Sequence, residues 1–304
     1  MKENQEMEKK GKSLKKLVLK IIVSAGLIFY ILYKVDKQTL ITNLKLMDLL
    51  FLVPIVAFIV LNYVISSLRW KQLIVHENAN KVSLGYLTSL YFIGSFFNNF
   101  MPTSIGGDVY KVFKLGKRIN DNTFAFTSTF TERFTGVLIL VLFSVLSFTG
   151  ILHFWVILLL VWFVMSMYIG FYILQKLSKK IKIVKKIYES LMVYKGRWTL
   201  IFHVFILAVV VQLFSVLTQY TIFLSLGIKL DPFFALFAFP VITLATFFIP
   251  SLNGIGVQDA LYISLFAFLG VPQELSLAAS VLYHLFRLGV SLIGGVLYAL
   301  GKSD

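Results

Sequence analysis

Residues 97–108 read FNNFMPTSIGGD, and residues 250–259 read PSLNGIGVQD. Each stretch interrupts an apolar segment with Pro, a small polar residue, two glycines that are adjacent or one residue apart, and then Asp. An arginine follows each Asp, Arg133 after the first stretch and Arg287 after the second. The two stretches therefore predict a degenerate internal repeat built around two helix breaks.

The composition places these breaks in a membrane protein. Apolar residues make up 58% of the 304 residues and charged residues only 14%, against roughly 25% charged in soluble proteins. The mean hydropathy is +0.85. One globule cannot bury that much apolar surface and keep a wettable exterior. The fold class predicted is an all-α polytopic membrane protein.

The apolar segments predict about six full transmembrane spans, since spans near 20 residues cross a bilayer core of about 30 Å. These spans are residues 17–33, 49–68, 134–152, 154–174, 200–226 and 276–300. Residues 1–16 are polar and lysine-rich and are interpreted as a basic cytoplasmic arm. Residues 17–304 form a single transmembrane domain in this interpretation.

Basic residues set the expected orientation, because cytoplasmic loops carry an excess of Lys and Arg. With a cytoplasmic N-terminus, 23 of the 29 basic residues fall inside and four fall outside. We expect a multi-pass protein of the cell (inner or plasma) membrane with both termini in the cytoplasm. The formal net charge of +15 is then a topology signal, and no nucleic-acid partner is expected.

The same charge count constrains the two broken segments. Basic residues flank residues 84–108 on both sides, so both flanks belong inside, and residues 233–270 lie between two outside loops. Each segment is therefore predicted to be a re-entrant hairpin, and the two enter from opposite faces. Transporter folds use such inverted repeats, with the substrate site in a central cavity where the broken helices meet.

The candidate substrate-binding residues lie at the two breaks or are the arginines that follow them. They are Asn98, Asn99, Pro102, Thr103, Ser104, Gly106, Gly107, Asp108, Arg133, Asn253, Gly254, Gly256, Asp259 and Arg287. Broken helices free backbone N–H groups that bind anions, and the arginine fork suits phosphate. An anionic head group, such as a phosphate, is therefore the ligand that these residues suggest.

Several of these residues have an alternative, structural interpretation. Asp108 and Asp259 fit N-caps, and the glycines fit positions that need unusual backbone torsions. The two asparagines at 98 and 99 fit either freed backbone groups or ligand hydroxyls. Internal ion pairs are the alternative for the arginines: Arg133 with Glu132 or Asp108, and Arg287 with Asp259.

Catalytic chemistry has little support in the sequence. The chain has no cysteine and only four scattered histidines, so neither a metal site nor a cofactor is expected. No HExxH, GxSxG or GxGxxG motif is present. We expect no enzyme activity from these residues.

Residues 97–111, with Glu132-Arg133 and residues 250–259, resemble the lysylphosphatidylglycerol synthase transmembrane-region family, also called flippase-like. The resemblance extends from about residue 17 to residue 300. The second break departs from the family pattern, with Asn253 where Pro is common and Asp259 in place of Glu. In multiple peptide resistance factors, which act in antibiotic resistance, this region precedes a soluble aminoacyl-transferase domain and flips aminoacylated phosphatidylglycerol.

This resemblance implies a flippase for a phosphate-bearing lipid: aminoacylated phosphatidylglycerol, a glycolipid or a polyprenyl phosphate. The chain ends at Asp304 without a transferase domain, so lysine transfer is not expected. Two other functions stay open, a small-solute or ion-coupled transporter and a non-transporting subunit of a separately encoded lipid-modifying enzyme. Oligomerisation also stays open.

Overall fold

The computed structural model describes residues 38, 42, 45, 47–100, 106–147, 165, 169–249, 251 and 253–301, and none of these lies in a β-strand. The predicted all-α class is confirmed. The helices are α1 Leu52–Leu73, α2 Leu84–Phe100, α3 Gly106–Ile119, α4 Asn122–Leu146, α5 Lys182–Met192, α6 Trp198–Ser225, α7 Pro232–Phe248, α8 Val257–Ala267 and α9 Gln273–Ala299.

Four helical stretches within the described residues are long and apolar enough to cross a membrane. They are Leu49–Leu73, Asn122–Leu146, Trp198–Ser225 and Gln273–Ala299. A multi-pass membrane protein follows from these lengths. Of the other predicted spans, 17–33 lies outside the described residues and 154–174 lies largely outside them, as does the arm at 1–16.

Two predicted span boundaries are wrong. The span expected to stop at residue 68 continues as α1 to Leu73, with Arg69 and Trp70 buried inside it. The span expected to start at residue 134 starts as α4 at Asn122, where Asp121 accepts the Phe124 N–H at 2.9 Å. Both errors have one cause: polar residues facing the protein interior lower the hydropathy of a helix without ending it.

The order of helices repeats along the chain. A long helix, two short helices and a long helix occur first as α1 to α4 and again as α6 to α9. Each pair of short helices is separated by one of the two predicted breaks. We call α2 with α3 the first hairpin and α7 with α8 the second hairpin.

Hydrogen bonds hold the two ends of the first hairpin together. Asn78 donates to the Ile119 carbonyl at 3.2 Å, and the Tyr86 hydroxyl donates to the Lys114 carbonyl at 3.1 Å. Tyr86 and Ile119 pack with Trp70 near the end of α1. The first hairpin therefore opens at the C-terminal end of α1.

The second hairpin opens at the other end of α1. The rings of Phe234 at its start and Phe266 at its end lie 5.9 Å apart. Just before α1, the Asp48 N–H donates to the Ser225 carbonyl at 2.9 Å, and Phe51 packs in the cluster that contains Phe266. Since a 22-residue helix is about 33 Å long, the two hairpins point toward each other from opposite ends of the fold.

Glycines allow the closest helix contacts. A Cβ built on Gly107 of α3 would overlap the carbonyl of Gly94 in α2, and one built on Gly294 of α9 would overlap the carbonyl of Phe92 in α2. The backbones of α2, α3 and α9 therefore touch near the tip of the first hairpin. This contact fixes the wall of the site described next.

Candidate functional site

The tips of the two hairpins meet in a chain of polar side chains. Asn253 in the second break donates to Asn99 Oδ1 at 2.7 Å, and Asn99 donates to Ser291 Oγ at 2.7 Å. Arg287 Nη2 donates to Asn253 Oδ1 at 3.1 Å. This series of hydrogen bonds joins α2, the second break and α9, so residues from both halves of the repeat form one site.

Left-handed backbone torsions shape the second break. Asn253, Gly254 and Gly256 have φ values of 49°, 87° and 85°, which Gly and Asn adopt at least cost. The predicted torsional role of Gly254 and Gly256 is confirmed.

That torsional role is wrong for Gly106 and Gly107, which lie in helix α3. Gly107 is needed for its contact with Gly94 instead. Its N–H donates to Asn98 Oδ1 at 2.7 Å, so Asn98 satisfies a backbone group freed by the break, one of the two roles considered for it.

A cavity of about 280 Å³ lies beside the meeting point of the tips. Seven of the candidate residues line it: Asn98, Gly107, Asp108, Arg133, Asn253, Gly254 and Arg287. Asn99, Gly106, Gly256 and Asp259 are not among the residues that line it. Pro102, Thr103 and Ser104 lie outside the described residues.

A bidentate ion pair on one wall of the cavity joins Asp108 and Arg133. Arg133 Nε lies 2.7 Å from Asp108 Oδ2, and Arg133 Nη2 lies 2.9 Å from Oδ1. Lys111 Nζ lies 3.1 Å from the same Oδ1. The internal ion pair expected between Arg133 and Asp108 is present, and Asp108 has a second cation beside it.

Glu132 forms a second, deeper ion cluster. It contacts the guanidinium of Arg69, and its Oε2 lies 3.8 Å from Lys111 Nζ. The three side chains are each at most 4% exposed. Lys111 also lies over the ring of Tyr91, 3.9 Å from its centroid, a cation–π geometry that favours a charged ammonium.

The charges around the cavity do not cancel. Among the residues that the structure describes, four cationic side chains line it, Arg69, Lys111, Arg133 and Arg287, and two carboxylates, Asp108 and Glu132. Moreover, Arg69 Nε and Nη1 are buried and have no hydrogen-bond partner among the described residues. Unpartnered buried donors are costly, and such donors together with an excess of positive charge are features that favour an anionic ligand.

The ion pair expected between Arg287 and Asp259 is not present. Asp259 accepts the Gly256 N–H at 2.8 Å and bonds Ser280 Oγ at 2.5 Å, and its Oδ1 lies 3.2 Å from His284 Nε2. These partners fill the surroundings of the carboxylate. Arg287 instead bonds Asn253, lies 5.3 Å from the Tyr283 ring centroid and lines the cavity.

Sequence reasoning missed Arg69 and Lys111 as site residues. Both were counted as cytoplasmic loop charges, but they are 3% and 2% exposed. A signal was present: Asn62, Ser66 and Arg69 recur at helical spacing and all line the cavity. Lys111 likewise follows Asp108 by three residues on one face of α3.

No group of three or more His, Asp or Glu side chains within the described ranges is arranged to hold a metal ion. The site is instead a polar, cation-rich cavity between hairpin tips in a bundle of long apolar helices. These features define the class as a multi-pass helical membrane protein with an internal, cation-rich cavity.

The chain belongs to the family described as the lysylphosphatidylglycerol synthase TM region, whose model matches residues 17–295. The family expected from the sequence motifs is therefore confirmed. No curated protein and no solved structure matches the chain. Membership of this family indicates a membrane protein of the lipid-modifying or flippase type.

Proposed function

We propose that this protein moves a phosphate-bearing membrane lipid between the two leaflets of the cell membrane. The observation that supports this most is the excess of two positive charges around the cavity at the hairpin tips. The cavity volume near 280 Å³ is slightly below the usual range for ligand pockets, about 300–1,000 Å³. Such a cavity suits a head group, and the acyl chains would stay in the bilayer.

The ion pairs provide a route for binding and release. Arg287 meets the phosphate first, because its fork donates a single hydrogen bond within the described part of the chain, to Asn253. Arg133 then turns from Asp108 to the phosphate. Asp108 is not left without a partner, since Lys111 stays 3.1 Å away. Return of Arg133 to Asp108 releases the head group toward the other face.

The two hairpins, opening at opposite ends of α1, form inverted re-entrant elements in this proposal. Non-helical backbone at membrane depth is tolerated only where protein or a water-filled cavity surrounds it. Alternating exposure of the cavity would then come from one half of the repeat moving against the other. The candidate substrates are aminoacylated phosphatidylglycerol, glycolipids and polyprenyl phosphates.

A leaflet-resolved assay in proteoliposomes tests this function. Labelled anionic, aminoacylated and glycosylated lipids are compared, together with a water-soluble phosphate ester. Arg287→Lys and Arg287→Gln should each reduce lipid movement at least tenfold, because Lys keeps the charge but loses the fork. The exposed Arg197→Gln is the matched control. Movement of the soluble ester alone would indicate a solute transporter, and no movement of any probe would contradict transport.

A double mutant separates the structural and functional roles of Arg133. Arg133→Ala should reduce both thermal stability and lipid movement, because it removes the guanidinium that pairs with Asp108. Asp108→Asn in the same chain should restore stability, since no carboxylate then lacks its partner, but it should not restore movement. Recovery of stability and of full movement together would exclude Arg133 from the lipid path.

Reporter tags can test on which side of the membrane each terminus and loop lies. Tags at both termini and in residues 175–198 should report the cytoplasm, and tags in residues 34–45 and 227–232 should report the outside, because of the 23-to-4 charge asymmetry. Residues 76–81 and 111–118 should report the same side, as their hydrogen bonds suggest. Opposite sides would contradict the first re-entrant hairpin.

We also expect no aminoacyl transfer from this chain. Three of the cationic side chains at the cavity, Arg69, Lys111 and Arg133, are engaged in ion pairs with Asp108 or Glu132, and no motif for aminoacyl transfer occurs in the sequence. Purified protein incubated with lysyl-tRNA and phosphatidylglycerol should give no lysylated lipid above a no-protein blank. Any product that depends on the protein would contradict this division between transport and synthesis.

A further inference from the structure

The proposed function does not use one buried titratable pair, Asp259 with His284. Asp259 lies in the first turn of α8, and His284 lies in the middle of α9. Asp259 Oδ1 and His284 Nε2 are 3.2 Å apart, and the two side chains are only 7% and 15% exposed. Neither lines the cavity, so the pair is separate from the ion clusters of Asp108 and Glu132.

The surroundings of the pair are built for a carboxylate. Ser280 bonds one Asp259 oxygen at 2.5 Å, and the Gly256 N–H donates to the other at 2.8 Å. The His284 Nε2 atom is buried and has no hydrogen-bond partner among the described residues besides this ion-pair contact. Ionisable pairs inside a membrane bundle are costly and serve as proton relays in pumps and transporters, and histidine changes charge most readily near neutral pH.

We propose that the Asp259–His284 pair is a proton-binding site and that its proton occupancy is coupled to anion binding at Arg287. This inference rests on the proposed function for the identity of the anion. The proton comes from water and adds to His284 Nε2, which turns a pair of charge −1 into a neutral ion pair. The proton leaves by the reverse step.

Arg287 supplies the coupling between the pair and the cavity. It follows His284 by three residues on α9, about one helical turn away on a neighbouring face, and it lines the cavity. The unprotonated pair attracts the Arg287 guanidinium and competes with an anionic head group. Once the pair is neutral, it no longer competes with the anion for Arg287. Proton binding therefore raises the affinity for the anion, and anion binding raises the affinity for the proton.

Few other titratable groups face the pair. On α8, Tyr262 donates its hydroxyl to Gln219 at 2.7 Å. On α9 itself, the neighbours are Tyr283 and Arg287, with Glu274 near the helix start. The other helices packed on α9 are α1, α2 and α6. Of these, α2 has no charged residue, α6 has His203 near its start, and α1 has Arg69 and Lys71 near its end. The tyrosines of these three helices are Tyr63, Tyr86, Tyr91 and Tyr220. The helix α7, which packs on α8, has no charged residue, histidine or tyrosine. The pair is thus the main group that can respond to pH in this part of the described fold.

Nitrogen NMR of histidine-labelled protein tests proton binding without any transport. The His284 signal, identified by its loss in His284→Gln, should change from neutral to cationic between about pH 8 and about pH 5. In Asp259→Asn the cationic His284 signal should weaken, because a buried imidazolium would then lack its counter-charge. The matched control is the more exposed His76–Asp121 pair, 3.8 Å apart: Asp121→Asn should leave the His284 signal unchanged. An uncharged His284 over this whole range would overturn the proposal.

Binding of short-chain phosphatidylglycerol to the purified protein tests the coupling. The affinity at about pH 6 should exceed that at about pH 8 by roughly 5- to 150-fold, the usual range of coupling between two sites. Asp259→Asn should remove most of this difference, while Asp121→Asn should keep it. Equal affinity at both pH values in the unmodified protein would overturn the coupling.

These experiments separate the two proposals. If the unmodified protein neither binds nor moves any lipid, the proposed function fails, and the nitrogen spectra still decide whether the pair takes up a proton. If lipid moves but an imposed pH gradient does not change its rate or direction, the proton coupling fails and lipid movement stands.

Discussion

Glu132→Ala should destabilise the protein by about 3–5 kcal/mol, the usual effect of removing one partner from a buried ion pair. Glu132 is 2% exposed and contacts Arg69, which is 3% exposed. Without Glu132, the Arg69 guanidinium remains buried, and its Nε and Nη1 already have no hydrogen-bond partner among the described residues. Thermal and denaturant unfolding in detergent would measure the loss.

A surface pair provides the matched control for this prediction. Lys185 and Glu189 are one helical turn apart on α5, 3.8 Å from each other and at least 60% exposed. Glu189→Ala should change stability by about 0.5 kcal/mol or less. Replacing both buried partners, Arg69→Met with Glu132→Leu, should recover most of the stability, since apolar groups of similar size need no counter-charge. Equal effects of Glu132→Ala and Glu189→Ala would contradict a buried cluster.

Gly107→Ala and Gly294→Ala should each destabilise the fold by about 1–3 kcal/mol, the usual cost of overpacking. The added Cβ would overlap a backbone carbonyl, of Gly94 in the first case and of Phe92 in the second. Backbone atoms cannot rotate away as a side chain does. The helices α2, α3 and α9 would have to separate, which would also widen the cavity, so lipid movement should fall with stability.

Gly289→Ala is the control for Gly294→Ala, because both glycines lie in α9 and nothing lies within 4 Å of a Cβ at position 289. It should be neutral or slightly stabilising, since Ala favours a helix over Gly by about 1 kcal/mol. Gly170, which also has open space, should tolerate alanine as well. If alanine at Gly107 or Gly294 changes the free energy of unfolding no more than alanine at Gly289 or Gly170 does, the helices do not touch as described.

The site was partly predictable from local sequence. The Pro/Gly patterns predict the positions of both hairpin tips, because a helix break of this kind is recognisable without knowing what packs against it. The pairing of Asp108 with Arg133 was among the alternatives, since an intramembrane arginine must meet a negative group. Arg69 and Lys111 were not predictable from their charge, because a basic residue beside an apolar run is more often a loop charge than a buried one.

The sequence by itself determined the membrane class, the family and the location of the two breaks, because hydropathy, charge and Pro/Gly chemistry act over short distances along the chain. The tertiary structure decided which polar groups become partners. Asn99 meets Asn253 across 154 residues, and Asp259 pairs with His284 rather than with Arg287. Such choices depend on which helix faces approach closely, and close approach here depends on glycines such as Gly107 and Gly294, whose missing side chains matter only once the helices are packed.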